Sequence, residues 1–96
     1  MKIKLPPIEF FKALSDPTRL TIIELLRATD ALCVCDITAQ LQQPQPTVSR
    51  HLTHLKRLGI LTSERRGTWI WYSLAHDLPD WSKAVIRALP SPFIED

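Results

Sequence analysis

Two thiols one residue apart, Cys33 and Cys35 in the stretch ALCVCDIT, are the only cysteines of this 96-residue chain. Three chemistries compete for such a pair: gripping one soft centre, closing a disulfide, or filling a core as two small apolar side chains. On an α-helix, residues i and i+2 point about 200° apart, so both sulfurs cannot face one small centre. In an extended or turned backbone the same residues share a side. Cys33 and Cys35 therefore act together only if the chain around Val34 is non-helical. A disulfide is not the expectation, because cytosolic thiols stay reduced and a ring closed across one intervening residue is strained. A zinc or cadmium site needs more donors than the pair supplies, and His76, Asp77 and Asp80 read as a solvated turn.

A second group of residues suits nucleic acid. Between residues 45 and 66, Arg50, Lys56, Arg57, Arg65 and Arg66 stand against the single Glu64. That segment carries +4 in a chain of net charge +2, so the remainder is mildly acidic. A basic segment on such a body fits a phosphate backbone. Gln45, Thr47, Ser49, Arg50, His51 and His54 would form the outward face of a helix over 45–58. Gln suits adenine, Arg suits guanine and the Thr methyl meets thymine. Lys56 and Arg57 lie further along, toward phosphates, and Arg65 and Arg66 occupy a hairpin tip. Trp69, Trp71 and Tyr72 alternate on that hairpin and are expected to pack rather than stack on bases.

The elements that position these groups follow from periodicity. Pro6-Pro7 open a first helix with Ile8, Phe11 and Leu14 at helical spacing. Asp16 caps a second, Pro17 takes its first position, and Leu20, Ile22, Ile23, Leu25 and Leu26 give it the broad apolar face of a central helix. Val34, Ile37 and Leu41 define a short third helix over 34–42, with Asp36 as its cap or in its first turn. The prolines of QQPQP break it and start a fourth, with Val48, Leu52 and Leu55 on one stripe and Gly59 as its stop. The period then changes: ILTSERRGTWIWYSL reads as two strands around a turn at Arg66-Gly67. A last helix from about Pro79 carries Trp81, Val85 and Ala88 and ends at Pro90 and Pro92.

The order helix, helix, helix, helix, hairpin, helix is mainly α with a small β-hairpin, a winged helix-turn-helix in one domain over residues 1–96. With 45% hydrophobic and 23% charged residues the chain reads as globular. A core this small gains stability readily from a second copy. Glu9, Asp16 and Glu24 interrupt every candidate signal or membrane segment, so a cytoplasmic protein without membrane contact is expected. No Gly-rich nucleophile turn, phosphate loop or paired carboxylates accompany the Cys and His residues, which excludes an enzyme. A redox-responsive or metal-independent regulator, or a protein-interaction module on the same fold, stays open on the residues alone.

In the order FKALSDPTRLTIIELL, LCVCDITAQL, QPTVSRHLTHLKRLGIL and RRGTWIWYSL, the chain from Phe11 to Trp81 resembles the ArsR/SmtB metal-sensing repressors. LCVCD is similar to the signature of their arsenic-responsive branch. The resemblance implies a homodimer that represses its own operon on double-stranded operator DNA. It implies release when As(III) or Sb(III) binds Cys33 and Cys35, with no obligatory cofactor. It places the dimer interface on the first and last helices, where Ile8, Phe11 and Leu14 and Trp81, Val85 and Ala88 form compatible stripes. Two positions depart from the pattern. Thr38 stands where the branch often has a third cysteine, and its hydroxyl replaces a thiolate poorly toward a soft centre. Pro44 stands where a capping Ser is common. With two thiols, a trivalent organoarsenical fits without a third sulfur.

Overall fold

The computed structural model describes residues 5–90. Its elements are α1 (Pro7–Leu14), α2 (Pro17–Arg27), β1 (Leu32–Cys33), α3 (Val34–Leu41), α4 (Gln45–Arg57), β2 (Leu61–Arg66), β3 (Trp69–Leu74) and α5 (Asp80–Ala88). The helix starts are chemically specified. Asp16 accepts a hydrogen bond from the Arg19 N–H at 3.0 Å and Pro17 fills the first position of α2. Pro44 precedes α4 without any side-chain cap, as the missing hydroxyl at that position implies. Gln42 adopts a left-handed φ of 55° to end α3, and Gly59 does the same at 83° after α4, donating its N–H to the Lys56 carbonyl at 2.9 Å.

The core gathers Phe10 and Ala13 from α1, Ile22, Ile23 and Leu26 from α2, Val34 and Ile37 from α3, and Val48, Leu52 and Leu55 from α4. Ile60, Leu61, Ala75, Leu78 and Ile86 close it. The broad apolar face of α2 makes it the central helix, packed against every other helix and β3. On α1 the stripe expected from spacing is the outward one: Ile8 and Phe11 are 65% and 48% exposed, while Phe10 and Ala13 are buried. α5 likewise buries Ser82 and Ile86, and Trp81 and Ala88 stay exposed. Leu14 and Val85 pack partly on the core.

The hairpin is joined by a third strand that periodicity does not reveal. The sheet order is β1-β3-β2, all antiparallel, with Cys33 opposite Trp71 and Glu64 opposite Trp71 on the other side. A two-residue strand is too short to show an alternation of its own. The hairpin turn falls at Gly67-Thr68, one residue later than expected, because Arg66 still pairs with Trp69. Gly67 takes φ 65°, the left-handed conformation such tight turns require. Pro92, expected to help end the last helix, lies outside the described residues.

Leu52 is completely buried on the helix that presents the basic face. Leu52→Ala is expected to cost about 2–5 kcal/mol in urea unfolding, by lost burial plus the cavity left behind. A loss below about 1 kcal/mol would show that α4 is not anchored through this side chain.

Candidate nucleic-acid interface and thiol pair

With Val48, Leu52 and Leu55 turned into the core, α4 presents Gln45, Arg50, Lys56 and Arg57 to solvent and leaves Thr47, Ser49, His51 and His54 half-buried. Ser49, Arg50, Thr53, His54 and Arg57 line one shallow groove of about 350 Å³. Burial, then the Arg19, Arg57 and His51 charges, holds the His54 imidazole below its ordinary pKa. His51 is turned differently. Its Nδ1 lies 3.3 Å from the Arg19 guanidinium, which donates to it, and 3.9 Å from the Asp16 carboxylate. The Arg19 Nε also donates to the Ala13 carbonyl at 2.8 Å. One arginine thus ties the end of α1, the start of α2 and the middle of α4 together. Its backbone N–H to the Asp16 carboxylate lowers the Asp16 pKa, burial opposes this, and the nearby His51 and Arg19 charges add to the lowering. Sequence reasoning gave His51 only a base-facing role and did not single out Arg19; the signal available was the DPTR capping segment itself.

The wing places Arg65 and Arg66 in solvent beside the turn. The Arg66 guanidinium lies 4.8 Å over the Trp71 ring and 3.3 Å from the Glu64 carboxylate. Of the three aromatics expected to pack, Trp71 and Tyr72 are partly buried but Trp69 is 48% exposed next to the turn. A strand position one residue from the loop has little to pack on.

Cys33 is the N-cap of α3, extended at φ −76° and ψ 161°, and its Sγ accepts from the Asp36 N–H at 3.4 Å. The helix starts at Val34, so one sulfur stands outside it and the other in its first turn. Both then lie on one side, with the two Cα atoms 5.3 Å apart. Contrary to the expectation of free thiols, Cys33 and Cys35 are joined by a disulfide. The extended backbone at Cys33 removes the geometric obstacle that a continuous helix would have posed. The Asp36 carboxylate comes within 4.8 Å of both sulfurs, the one cluster of this kind among the described residues. Asp36 sits in the first turn of α3, one of the two places expected for it, while Cys33 takes the cap. Its use as an oxygen donor is signalled by its place directly after Cys35. Thr38 Oγ1 is shielded from solvent and has no hydrogen-bond partner among the described residues. Once reduced, the pair fits a thiol-seeking centre: two soft donors on one side and an exposed carboxylate beside them.

The His54 shift fixes a pH dependence of folding. Above the unfolded value of 6.5 the imidazole is neutral in both states and contributes nothing. As pH falls through that value the unfolded chain takes the proton first, and stability declines until the folded site is itself protonated. His54→Gln is expected to flatten the stability profile between about pH 7 and 5, measured by urea midpoints. An unchanged slope would assign the dependence to other groups.

Residues 16–63 match the family described as bacterial regulatory protein, arsR family. Over 80 residues the chain is 44% identical to the arsenical resistance operon repressor of Escherichia coli (strain K12), covering 83% of this chain and 68% of that protein. It is 40% identical over 88 residues to the arsenic resistance transcriptional regulator ArsR1 of Pseudomonas putida, covering 92% and 68%. The crystal structure of the transcriptional repressor BigR from Xylella fastidiosa shares the fold with a TM-score of 0.75 at 27% identity, covering 93% of this chain and 87% of that one. No helix among the described residues is long and apolar enough to cross a membrane. With its winged helix-turn-helix and its basic α4, the chain belongs to the arsR family of bacterial regulatory proteins and is a DNA-binding regulator of transcription, not an enzyme.

Proposed function

We propose that this protein is a cytoplasmic, homodimeric repressor that leaves its operator when a trivalent arsenical or antimonial binds Cys33 and Cys35. The observation that carries the proposal is the placement of both sulfurs at the start of α3, the helix packed directly against α4. The names of the Escherichia coli and Pseudomonas putida relatives support the choice of element. In the binding step two thiols and arsenous acid form two S–As bonds and release two waters, leaving one As–OH. A monosubstituted arsenical makes the same two bonds and keeps its organic group. A groove of about 380 Å³, lined by Leu25, Ala28, Leu32 and Ala39 with Thr29, Asp36 and Gln40, offers that group a partly apolar seat beside α3.

On the DNA side Arg50 reads a base edge, with Gln45, Thr47, Ser49 and His54 beside it. Lys56, Arg57, Arg65 and Arg66 hold phosphates. His51 contributes by fixing α4 on α2 through Arg19 and Asp16. The dimer forms on the exposed apolar face of α1 and α5. There Phe11 and Trp81 lie 6.2 Å apart between ring centroids and both contact Phe10. Ile8, Leu14, Val85 and Ala88 extend the same face.

The disulfide favours a second reading, a regulator driven by oxidation of the pair. Hydrogen peroxide would take two electrons from the two thiols and leave as two waters. Fluorescence anisotropy on the DNA upstream of the protein's own gene separates the two. Reduced protein is expected to bind and arsenite to release it. A monosubstituted trivalent arsenical should do so at lower concentration in thiol-free buffer. Cys33→Ser and Cys35→Ser should bind DNA and ignore arsenite, since a serine at 33 keeps the helix cap. Arg50→Ala should lose about 1–3 kcal/mol of operator affinity. Release by peroxide with no response to arsenite would select the oxidation reading.

A further inference from the structure

The cysteine pair and the wing are parts of one sheet face. Cys33 stands directly opposite Trp71 across β1–β3, and Glu64 stands opposite Trp71 across β2–β3. Residues paired in this way project to the same side, with their Cβ atoms about 5 Å apart. The two-residue period adds Arg66 and its partner Trp69 to that side. The opposite side carries Leu32, Leu61, Tyr72 and Leu74, which belong to or pack against the core. Cys33 is only 4% exposed, bonded to Cys35 and taking the Asp36 N–H, and the residue paired with it across the sheet on this side is Trp71. At the far end of the row, the Arg66 guanidinium rests 4.8 Å over the Trp71 ring and pairs with Glu64 at 3.3 Å.

From this row we infer that Trp71 is a positioning residue that couples the state of the Cys33–Cys35 pair to the wing arginine Arg66. The inference rests on the reading of the pair as the regulatory site and of the wing as a DNA contact. Its physical content is a shared volume. The indole stands opposite Cys33 in the sheet, and its ring carries the guanidinium. Any change in what Cys33 is bonded to must be accommodated beside the ring. The guanidinium is held by the ring face and by one exposed carboxylate, so moving the ring changes where a phosphate-seeking cation sits. This route is separate from the packing of α3 on α4, and the two can act in parallel.

The test uses the whole protein labelled with 5-fluorotryptophan, its three ¹⁹F resonances assigned with Trp71→Phe. Operator affinity is measured in parallel for reduced, arsenite-treated and peroxide-oxidised protein. The Trp71 resonance is expected to move with the state of the pair, and Arg66→Ala is expected to move it as well. In Trp71→Phe the ratio of operator Kd with and without arsenite should fall by about fivefold or more, the size of a typical coupling. Trp71→Phe and Arg66→Ala together should reduce the ratio no more than either alone. A Trp71 resonance indifferent to both treatments, or a full ratio in Trp71→Phe, overturns the inference. So does a resonance that moves while operator affinity stays constant. If arsenite changes nothing and peroxide moves both the resonance and the affinity, the arsenical reading fails and the coupling stands.

Discussion

The site depends on one backbone conformation, the extended Cys33 at the junction of β1 and α3. Were the helix to begin one turn earlier, the two sulfurs would diverge by about 200° and no centre could engage both. The Asp36 N–H would lose its sulfur acceptor, and β1 would lose its pairing with β3. The conformation is held from outside the loop. Leu32 packs on the core beside Tyr72 while Cys33 pairs with Trp71, so the wing sheet, not the local sequence, decides where α3 starts. A thiol site built this way is sensitive to the sheet, and the sheet to the site.

The second constraint is α2, which binds backbone carbonyls at both of its ends. Arg19 donates to the carbonyls of Lys12 and Ala13, satisfying the open C-terminus of α1. Arg27 donates to the carbonyls of Ile86, Arg87 and Leu89, doing the same for α5. A guanidinium on a helix C-terminus gains both charge-assisted hydrogen bonds and a favourable dipole interaction. The two clamps set α1 and α5 against one scaffold and leave Ile8, Phe11 and Trp81 facing the same way. Arg19 also reaches His51, so the scaffold that orients the apolar face orients α4 too.

Most of this was legible where local chemistry decides. The Asp16-Pro17 start, the Val48, Leu52, Leu55 stripe and the Gly59 stop each carry their own physical signature, and the helices lie where those signatures put them. What periodicity cannot do is tell which side of a helix faces inward when both sides are apolar. In α1, Ile8 and Phe11 compete with Phe10 and Ala13, and the choice is made by contact with α2 and α5. The strand at Leu32-Cys33 was hidden because its only support is a long-range pairing with residues 71 and 72. In the sequence, redox compartment and ring strain argue against the disulfide; the extended backbone at Cys33 is what lets the two sulfurs meet. Arg19 is signalled only by its place in the DPTR capping segment and Trp71 by no motif, so what each touches is visible only as distances.

The chemistry of the pair follows from what surrounds it. Both sulfurs are soft, and among the described residues the one other such donor within reach is a hard carboxylate in solvent. Thr38, one turn further on, keeps its hydroxyl buried and unpartnered, at a cost of about 1–3 kcal/mol for an unmet hydrogen bond. A third protein thiol is absent from the helix, so a trivalent centre bound here keeps one substituent of its own. In the arsenical reading that substituent meets the exposed Asp36 carboxylate, which also borders the groove of Leu25, Ala28, Thr29, Leu32, Ala39 and Gln40. For the proposed trivalent ligands, two thiols select a soft centre and the third position leaves discrimination to whatever the ligand carries. A hydroxyl there meets water and a carboxylate, whereas a small organic group removes apolar surface from water. Selectivity between them is then a matter of surface buried in that groove rather than of sulfur count.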